Sequence, residues 1–484
     1  MKIKNFVTVL LVAFILASCT SAVKVVPTET VVPTSTFTPV PTATLTATPI
    51  PTIPSERFTK GFLEVVPPTQ DLIEQGLKTG VIRQAIGISN LTFEVHDNLN
   101  KPSQKIVFGR NPETQEIILA TRINSETGKM VWHVAGLRDF ADVVGITIGT
   151  NLYSTPDGAD GMFSESDQKK INKLVVQECN HAIVIEVGWG VWLEKFTEGE
   201  FDFSLADEAV NLALENGMTV DGDDLVYGGS DFDYSYIGQI EDKLKGDGLN
   251  DVQIKDRVEG IVKNHIITIM SHYKGKITEW SVLNEFRGQD NGETPDVFGR
   301  IWKNANGTDK EFVKMVFETA RAADPTARLF YNDNDNIARN YFRYKNNLAI
   351  AQFLQQYNLI DAMGLQFTDM DVASHPSESE LIATMQSYNM PIIVTSATFD
   401  TRGVSGTEEE IQKKQADTAV EVLAACLKSM VCRDFRMWNG AGDKFSFLGP
   451  EAKSSIFDMN MKPKLAYFAI KEYLTQLIDD RNPQ

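Results

Sequence analysis

Glu285 follows Asn284 at the end of a short apolar run, Ile277 to Asn284, and this pairing of amide and carboxylate is the first sign of chemistry in the chain. A carboxyl placed there can pass a proton, and the amide beside it can hold a hydroxyl. Other apolar runs end on residues of similar kinds: Glu186, Asp223 and Asp224, Asp333 and Asp335, Gln366, Ser396 and Trp438. Such a set suits a sugar, because indole faces stack on pyranose rings while amides and carboxylates bind the hydroxyls. Trp438 fits either a sugar platform or the core, and Trp189 and Trp192 fit packing better than platforms. Neither the six histidines nor the four cysteines fall at zinc-ligand spacings, and no glycine-rich phosphate loop follows a strand. No metal and no cofactor are expected.

These residues need a frame that gathers strand ends in one place. From about Val131 short apolar runs alternate with amphipathic segments. The runs are Val144 to Ile148, Ala182 to Val187, Thr219 to Tyr227, Ile277 to Asn284, Arg328 to Asn332, Ala362 to Phe367, Pro391 to Thr395 and Phe435 to Trp438. Helical periodicity covers Glu165–Glu178, Leu205–Asn216, Asp251–Tyr273, Lys310–Ala323, Asn346–Gln356, Glu378–Tyr388, Glu408–Ser429 and Lys462–Leu477. Eight β/α repeats across residues 131–484 predict an α/β fold, a (β/α)8 TIM barrel with its chemistry at the carboxyl ends of the strands.

The amino-terminal part reads differently. Lys2 and Lys4 precede the apolar stretch Phe6 to Leu16, which is too short for an ordinary membrane span. Leu16-Ala17-Ser18-Cys19 then resembles a bacterial lipobox, so residues 1–19 are expected to be a lipoprotein signal with Cys19 the lipidated residue. The alternative is an ordinary signal peptide with an incidental cysteine. Residues 20–55 form a Thr/Pro-rich stalk, which buries too little apolar surface to fold. Residues 56–130, with β-branched runs at Gly80 to Glu94 and Lys105 to Ile123, read as a small β-rich extension. A monomer anchored to a bacterial membrane and facing outward is expected. In that oxidising setting Cys426 and Cys432 can bridge a helix end to the next strand, leaving Cys179 as an inert buried thiol. A net charge of -19 repels phosphate backbones, so nucleic acid is not an expected partner.

The stretch Trp280 to Glu285, with His265-Ile266 and Tyr273 to Lys276 before it, resembles the fourth strand of glycoside hydrolase family 10, the endo-β-1,4-xylanases. Further stretches agree in order: Leu137 to Gly149, Phe201 to Tyr227, Ala322 to Asp333, Gly364 to Gln366 and Trp438 to Ser446. The resemblance covers roughly residues 132–478 and implies a xylan-type substrate. It implies Glu285 as general acid/base, Asn284 as the contact to the sugar 2-hydroxyl, Gln366 beside the nucleophile, Trp438 under the sugar and Glu186 as a second-strand ligand. The family's nucleophile glutamate falls on Ser396, within Thr395-Ser396-Ala397-Thr398. Its third-strand tryptophan-histidine pair is Tyr227-Gly228, its sixth-strand histidine is Thr368, and a late tryptophan is Phe447. The asparagine and lysine of the second strand have no counterpart between Val187 and Trp192. Asp369 is the replacement base considered for an inverting site, ahead of Asp400. Two functions are compatible with this pattern: a xylanase-like hydrolase lacking its usual nucleophile, or a non-catalytic carbohydrate-binding lipoprotein. A surface protein that no longer binds sugar is a third reading, which the joint presence of Asn284, Glu285, Gln366 and Trp438 opposes.

Overall fold

The computed structural model describes residues 91–124, 132–154, 164–188, 199–228, 236–288, 295–334, 336–368, 370–438, 440–446 and 448–481. Cys19 and the whole of residues 1–90, along with Trp189, Trp192, Asp335, Asp369 and Phe447, lie outside the described residues.

The first described element is a four-stranded antiparallel sheet: β1 (Thr92–Asp97), β2 (Gln104–Arg110), β3 (Ile117–Asn124) and β4 (His133–Val134). Period-two alternation divides β2 between two faces. Val107 joins Ile118, Leu119 and Trp132, while Ile106 and Phe108 turn to the large core. There Phe108 stacks on Phe140 of helix α1 (Leu137–Val144), with ring centroids 5.1 Å apart. The extension thus shares its core with the barrel, and its fourth strand lies beyond the boundary expected near residue 130.

Eight parallel strands form that barrel: β5 (Thr147–Asn151), β6 (His181–Val184), β7 (Thr219–Gly222), β8 (Glu279–Asn284), β9 (Arg328–Asp333), β10 (Ala362–Leu365), β12 (Ile392–Ala397) and β14 (Cys432–Met437). They close in the order β10-β12-β14-β5-β6-β7-β8-β9. The helices between them are α2 (Glu165–Glu178), α3 (Ser204–Glu215), α4 (Tyr236–Gly246), α5 (Asp251–His272), α6 (Val297–Asn304), α7 (Asp309–Ala323), α8 (Tyr344–Gln356), α9 (Glu378–Ser387) and α10 (Glu408–Lys428), with α11 (Leu465–Arg481) last. Sharp helix starts come from side-chain caps: Ser164, Asn250, Thr308 and Thr407 each accept the N–H three residues on.

Two expectations need correcting. Val144 ends a helix rather than opening a strand, because Gly145 takes a left-handed turn (φ 77°) and delays the first barrel strand to Thr147. The run Thr219 to Tyr227 is strand only as far as Gly222. Asp224 adopts φ 48°, a conformation outside the extended region. Cys426 and Cys432 are joined by a disulfide from the last turn of α10 to the first residue of β14, and Cys179 is a buried free thiol. Among the described residues no helix is long and apolar enough to cross a membrane.

Candidate active site

The carboxyl ends of the strands meet around Glu285. Two irregularities in the barrel shape this end. Strand β8 carries one extra residue against β9 between Ser281 and Leu283, and β12 carries one against β14 between Val394 and Ala397. Such bulges re-aim the side chains that come after them. Here they precede Asn284-Glu285 and contain Thr395-Ser396. Glu285 then leaves β8 with φ 51°, a left-handed conformation that costs a non-glycine residue about 1 kcal/mol or more. Its backbone N–H donates to Asn332 O (3.0 Å), which holds the turn.

A continuous set of hydrogen bonds fixes these side chains. Gln366 Nε2 donates to both Glu285 Oε1 and Asn284 Oδ1, at 3.0 Å each. Tyr227 Oη donates to Glu285 Oε2 at 3.3 Å. Asn284 Nδ2 donates to Asp224 Oδ2 (2.8 Å), and Asn332 Nδ2 donates to Asn284 Oδ1 (3.1 Å). Ser281 Oγ donates to Asp224 Oδ1 (3.0 Å), and Thr395 Oγ1 to Asn332 Oδ1 (2.7 Å). Glu285 is half-buried, so it is oriented by its neighbours while remaining open to a ligand.

The structure therefore brings Glu285, Asn284 and Gln366 into direct contact. Ser396 is buried at the end of β12, beside Thr395. Trp438 is half-buried in the turn just after β14. Glu186 is buried in the turn after β6, where Oε1 accepts from Ser154 N and Oγ at 2.8 and 3.0 Å. Burial raises its pKa above the usual carboxylate range. Asp400 pairs with Arg402 at 2.5 Å within a two-stranded ribbon, β11 (Met370–Asp371) and β13 (Phe399–Asp400). That pairing engages Asp400 away from any role as a free base. Asp333 is also occupied, by Tyr331 Oη (2.6 Å) and Arg343 Nη1 (2.5 Å). Asn332 and Thr395 were missed by residue-type reasoning, since a buried Asn or Thr within an apolar strand gives no local signal of its partners.

Asp223 and Asp224 are hydrogen-bonded to each other, and burial combined with their mutual repulsion changes both. Asp224 is pushed up to about 6, with Glu285 adding to the upward shift against the bonds from Asp223, Asn284 and Ser281. Asp223 is raised well above its ordinary value.

A second polar cluster fills part of the barrel floor. Ligand atoms of His181, Asp221 and Glu279 lie within 4.8 Å of one another. Arg436 is fully buried there and donates Nη1 to Asp221 (2.7 Å) and Nη2 to both Glu279 and Asp434. Arg328 Nη1 donates to Glu279 Oε2 (2.6 Å) and Asp434 Oδ2 (3.0 Å). The guanidinium groups are thus the cations of this cluster.

A parallel eight-stranded barrel whose mouth gathers a fixed carboxylate, two amides and an indole has the architecture of a glycoside-hydrolase barrel. Comparison makes the class specific. The profile of glycosyl hydrolase family 10 matches residues 137–473, and the chain belongs to that family. It is 28% identical over 274 residues to endo-1,4-beta-xylanase 3 of Hypocrea jecorina, covering 56% of this chain and 69% of the relative. It is 26% identical over 348 residues to endo-1,4-beta-xylanase B of Thermotoga neapolitana, covering 70% and 90%. In fold it is similar to native xylanase 10B from Thermotoga maritima, with a TM-score of 0.59 and 24% identity over 71% of this chain and 99% of that one. The xylobiose complex of xylanase 10B from Thermotoga petrophila gives a TM-score of 0.57 at 23% identity, covering 71% and 98%.

Proposed function

We propose that the barrel mouth captures β-1,4-linked polysaccharide of the xylan type, with Glu285 as its proton-carrying group and without the ordinary retaining route to hydrolysis. The observation that carries this reading is the Gln366 amide, which holds Asn284 and Glu285 together at the mouth while β12 carries Ser396 just before its last residue, Ala397. A retaining glycosidase needs a second carboxylate about 5–5.5 Å from the acid, both to attack the anomeric carbon and to offset its positive charge. A neutral hydroxyl does neither unless a base activates it. The named activities of the relatives supply the substrate class. The lipobox at Cys19 and the Thr/Pro-rich stalk support capture on the outer side of a bacterial membrane.

Xylohexaose binding by the full chain, followed by calorimetry, is expected to weaken about tenfold or more in Gln366→Ala. Reducing-end release from xylan is expected to stay at the blank for the wild type, appear in Ser396→Glu, and vanish again when Glu285→Gln is added. Turnover by the wild type that depends on Glu285 would overturn the capture reading. It would direct the search for a replacement base to Asp369.

A further inference from the structure

The two oxygens of Glu285 face partners of different kinds. Gln366 Nε2 meets Glu285 Oε1 and Asn284 Oδ1, each at 3.0 Å, while Gln366 Oε1 accepts from Thr368 Oγ1 at 3.3 Å. Turning the Gln366 amide over would force Asn284 to turn with it, setting the Asn284 oxygen against the Asp224 carboxyl. Oε1 therefore always meets a group that only donates, and a proton on Glu285 belongs on Oε2. The partner there is the Tyr227 hydroxyl at 3.3 Å, which can donate or accept. That separation is long for an O–H···O bond, as bonds in a site without ligand often are. Burial, and then the Glu285 charge, pushes the phenol above its ordinary range, so Tyr227 keeps its own proton. Tyr227 also stands where the family pattern has tryptophan, whose indole N–H donates and never accepts.

We propose that Tyr227 is a positioning residue, which holds the exchangeable proton of Glu285 on Oε2 and supports the carboxyl in both of its states. The assignment rests on the reading of Glu285 as the proton-carrying group. With Glu285 ionised, Tyr227 Oη donates to Oε2. With Glu285 protonated, Oε2–H donates to Tyr227 Oη and the phenolic hydrogen turns away. Gln366 thus fixes where the carboxyl points, and Tyr227 fixes where its proton sits. The charged neighbours of Glu285 do not reverse in this way. Asp224 after β7 and Asp333 at the end of β9 both feel its charge, Asp333 in company with Arg343. Arg287, past β8, acts on the Tyr227 hydroxyl, and Asp296 accepts from the backbone N–H groups of Arg287 and Gly299. From β10 and β12 the described neighbours Gln366, Thr368, Thr395 and Ser396 are neutral. A hydroxyl bonds more strongly to a carboxylate than to a carboxylic acid. Removing the Tyr227 oxygen should therefore favour the protonated form of Glu285 about threefold, about half a pH unit.

The test is a carbon-13 NMR titration of the full chain, labelled at glutamate Cδ and tyrosine Cζ, with no sugar present. Glu285→Gln and Tyr227→Phe identify the two signals by their loss. In the wild type the Tyr227 signal is expected to step at the same pH as the Glu285 signal, because the phenolic hydrogen reverses when the carboxyl takes up its proton. In Glu285→Gln the Tyr227 signal is expected to stay still over that range. In Tyr227→Phe the Glu285 midpoint is expected about half a pH unit higher. A Glu285 midpoint that is unchanged or lower would overturn the assignment. So would a Tyr227 step that survives in Glu285→Gln, since the step would then belong to Asp224. If Tyr227→Phe does not fold, Tyr227→Trp, with the family's residue, identifies the signal and the other two titrations decide. Failure here leaves polysaccharide capture standing, whereas xylohexaose that does not bind would overturn capture and leave the pairing of Tyr227 with Glu285 in place.

Discussion

The two ends of the barrel use the same residue types and reach opposite electrostatic outcomes. At the floor, Asp221, Glu279 and Asp434 surround Arg436 and Arg328, so three carboxyls share two guanidinium groups. At the mouth, Asp224 and Glu285 are held by neutral donors. The floor arrangement directs its ionic bonds inward and leaves nothing for a ligand to contact. Among the described residues, Asp224 and Glu285 are half-buried and take no hydrogen bond from a cation, a state that weakens folding and is useful to a binding site. Beside the floor ions sit the apolar side chains Phe330, Ala362 and Ile393, with the Arg436 guanidinium 5.8 Å from the Phe330 ring centre. Charge at the floor is therefore part of the packing.

The largest expected effect comes from breaking that packing. Arg436→Leu removes a cation that three buried carboxyls share, leaving Glu279 and Asp434 with Arg328 and Asp221 with neither guanidinium, and breaking a buried ion pair in this way costs about 3–5 kcal/mol. Urea denaturation should show this as a lower midpoint with an unchanged slope. A loss under about 1 kcal/mol would mean that the floor carboxyls find other partners, and the contrast between the two ends would collapse.

Acid and base should pull the floor in opposite directions. Burial, with Glu279 and Asp224 nearby, raises Asp221 to about 8 despite Arg436. The folded chain thus keeps a proton that the unfolded chain releases near pH 4. Stability from this group is complete below that point and declines as pH climbs towards 8, by up to about 1.4 kcal/mol per pH unit. Asp434 is the reverse case. Burial favours its neutral form, but Arg328 and Arg436 outweigh burial and hold it below the usual range. Its contribution is present at neutral pH and lost on acidification. Denaturation midpoints between pH 3 and 9 should therefore pass through a maximum on the acid side of neutrality. Asp221→Asn should flatten the alkaline limb, and an unchanged limb in that variant would assign the slope to the mouth pair instead.

Much of this architecture was legible in the residues, for identifiable reasons. Long amphipathic segments with capping residues, such as Glu165–Glu178 and Glu408–Lys428, carry both period and punctuation. The short helix Leu137–Val144 did not. Arg138, Asp139 and Asp142 do share one face, but eight residues are too few for a helical period to stand out beside the apolar run that follows. At the site, Asn284, Glu285 and Gln366 were visible because chemically active types sit at strand ends. Their supports were not. Asn332 and Thr395 act only through partners far along the chain, and the bulges in β8 and β12 arise from pairing with neighbouring strands. The floor cluster escaped notice for a related reason: Asp221, Glu279 and Arg436 are separated in sequence and converge only when the barrel closes.

The smallest expected effect completes the contrast. Asp223→Asn together with Asp224→Asn preserves shape, and an amide at 224 can still accept from Asn284 while Ser281 Oγ turns to accept from the new amide. The double variant removes two carboxyls whose charged forms burial disfavours, at 224 with Glu285 adding to it, and it breaks no hydrogen bond from a cation to Asp224. Folding should therefore gain about 1 kcal/mol at pH 7, opposite in sign to Arg436→Leu at the floor. The gain should shrink as pH falls below about 6, where Asp224 already takes up its proton. Thermal denaturation at pH 5 and pH 7 measures both quantities. A loss of stability at both pH values would mean that the bond from Asn284 to Asp224 needs its charge, making the mouth carboxyls as structural as those of the floor. A gain confined to pH 7 would mark the mouth as the end where folding stability yields to the needs of a site.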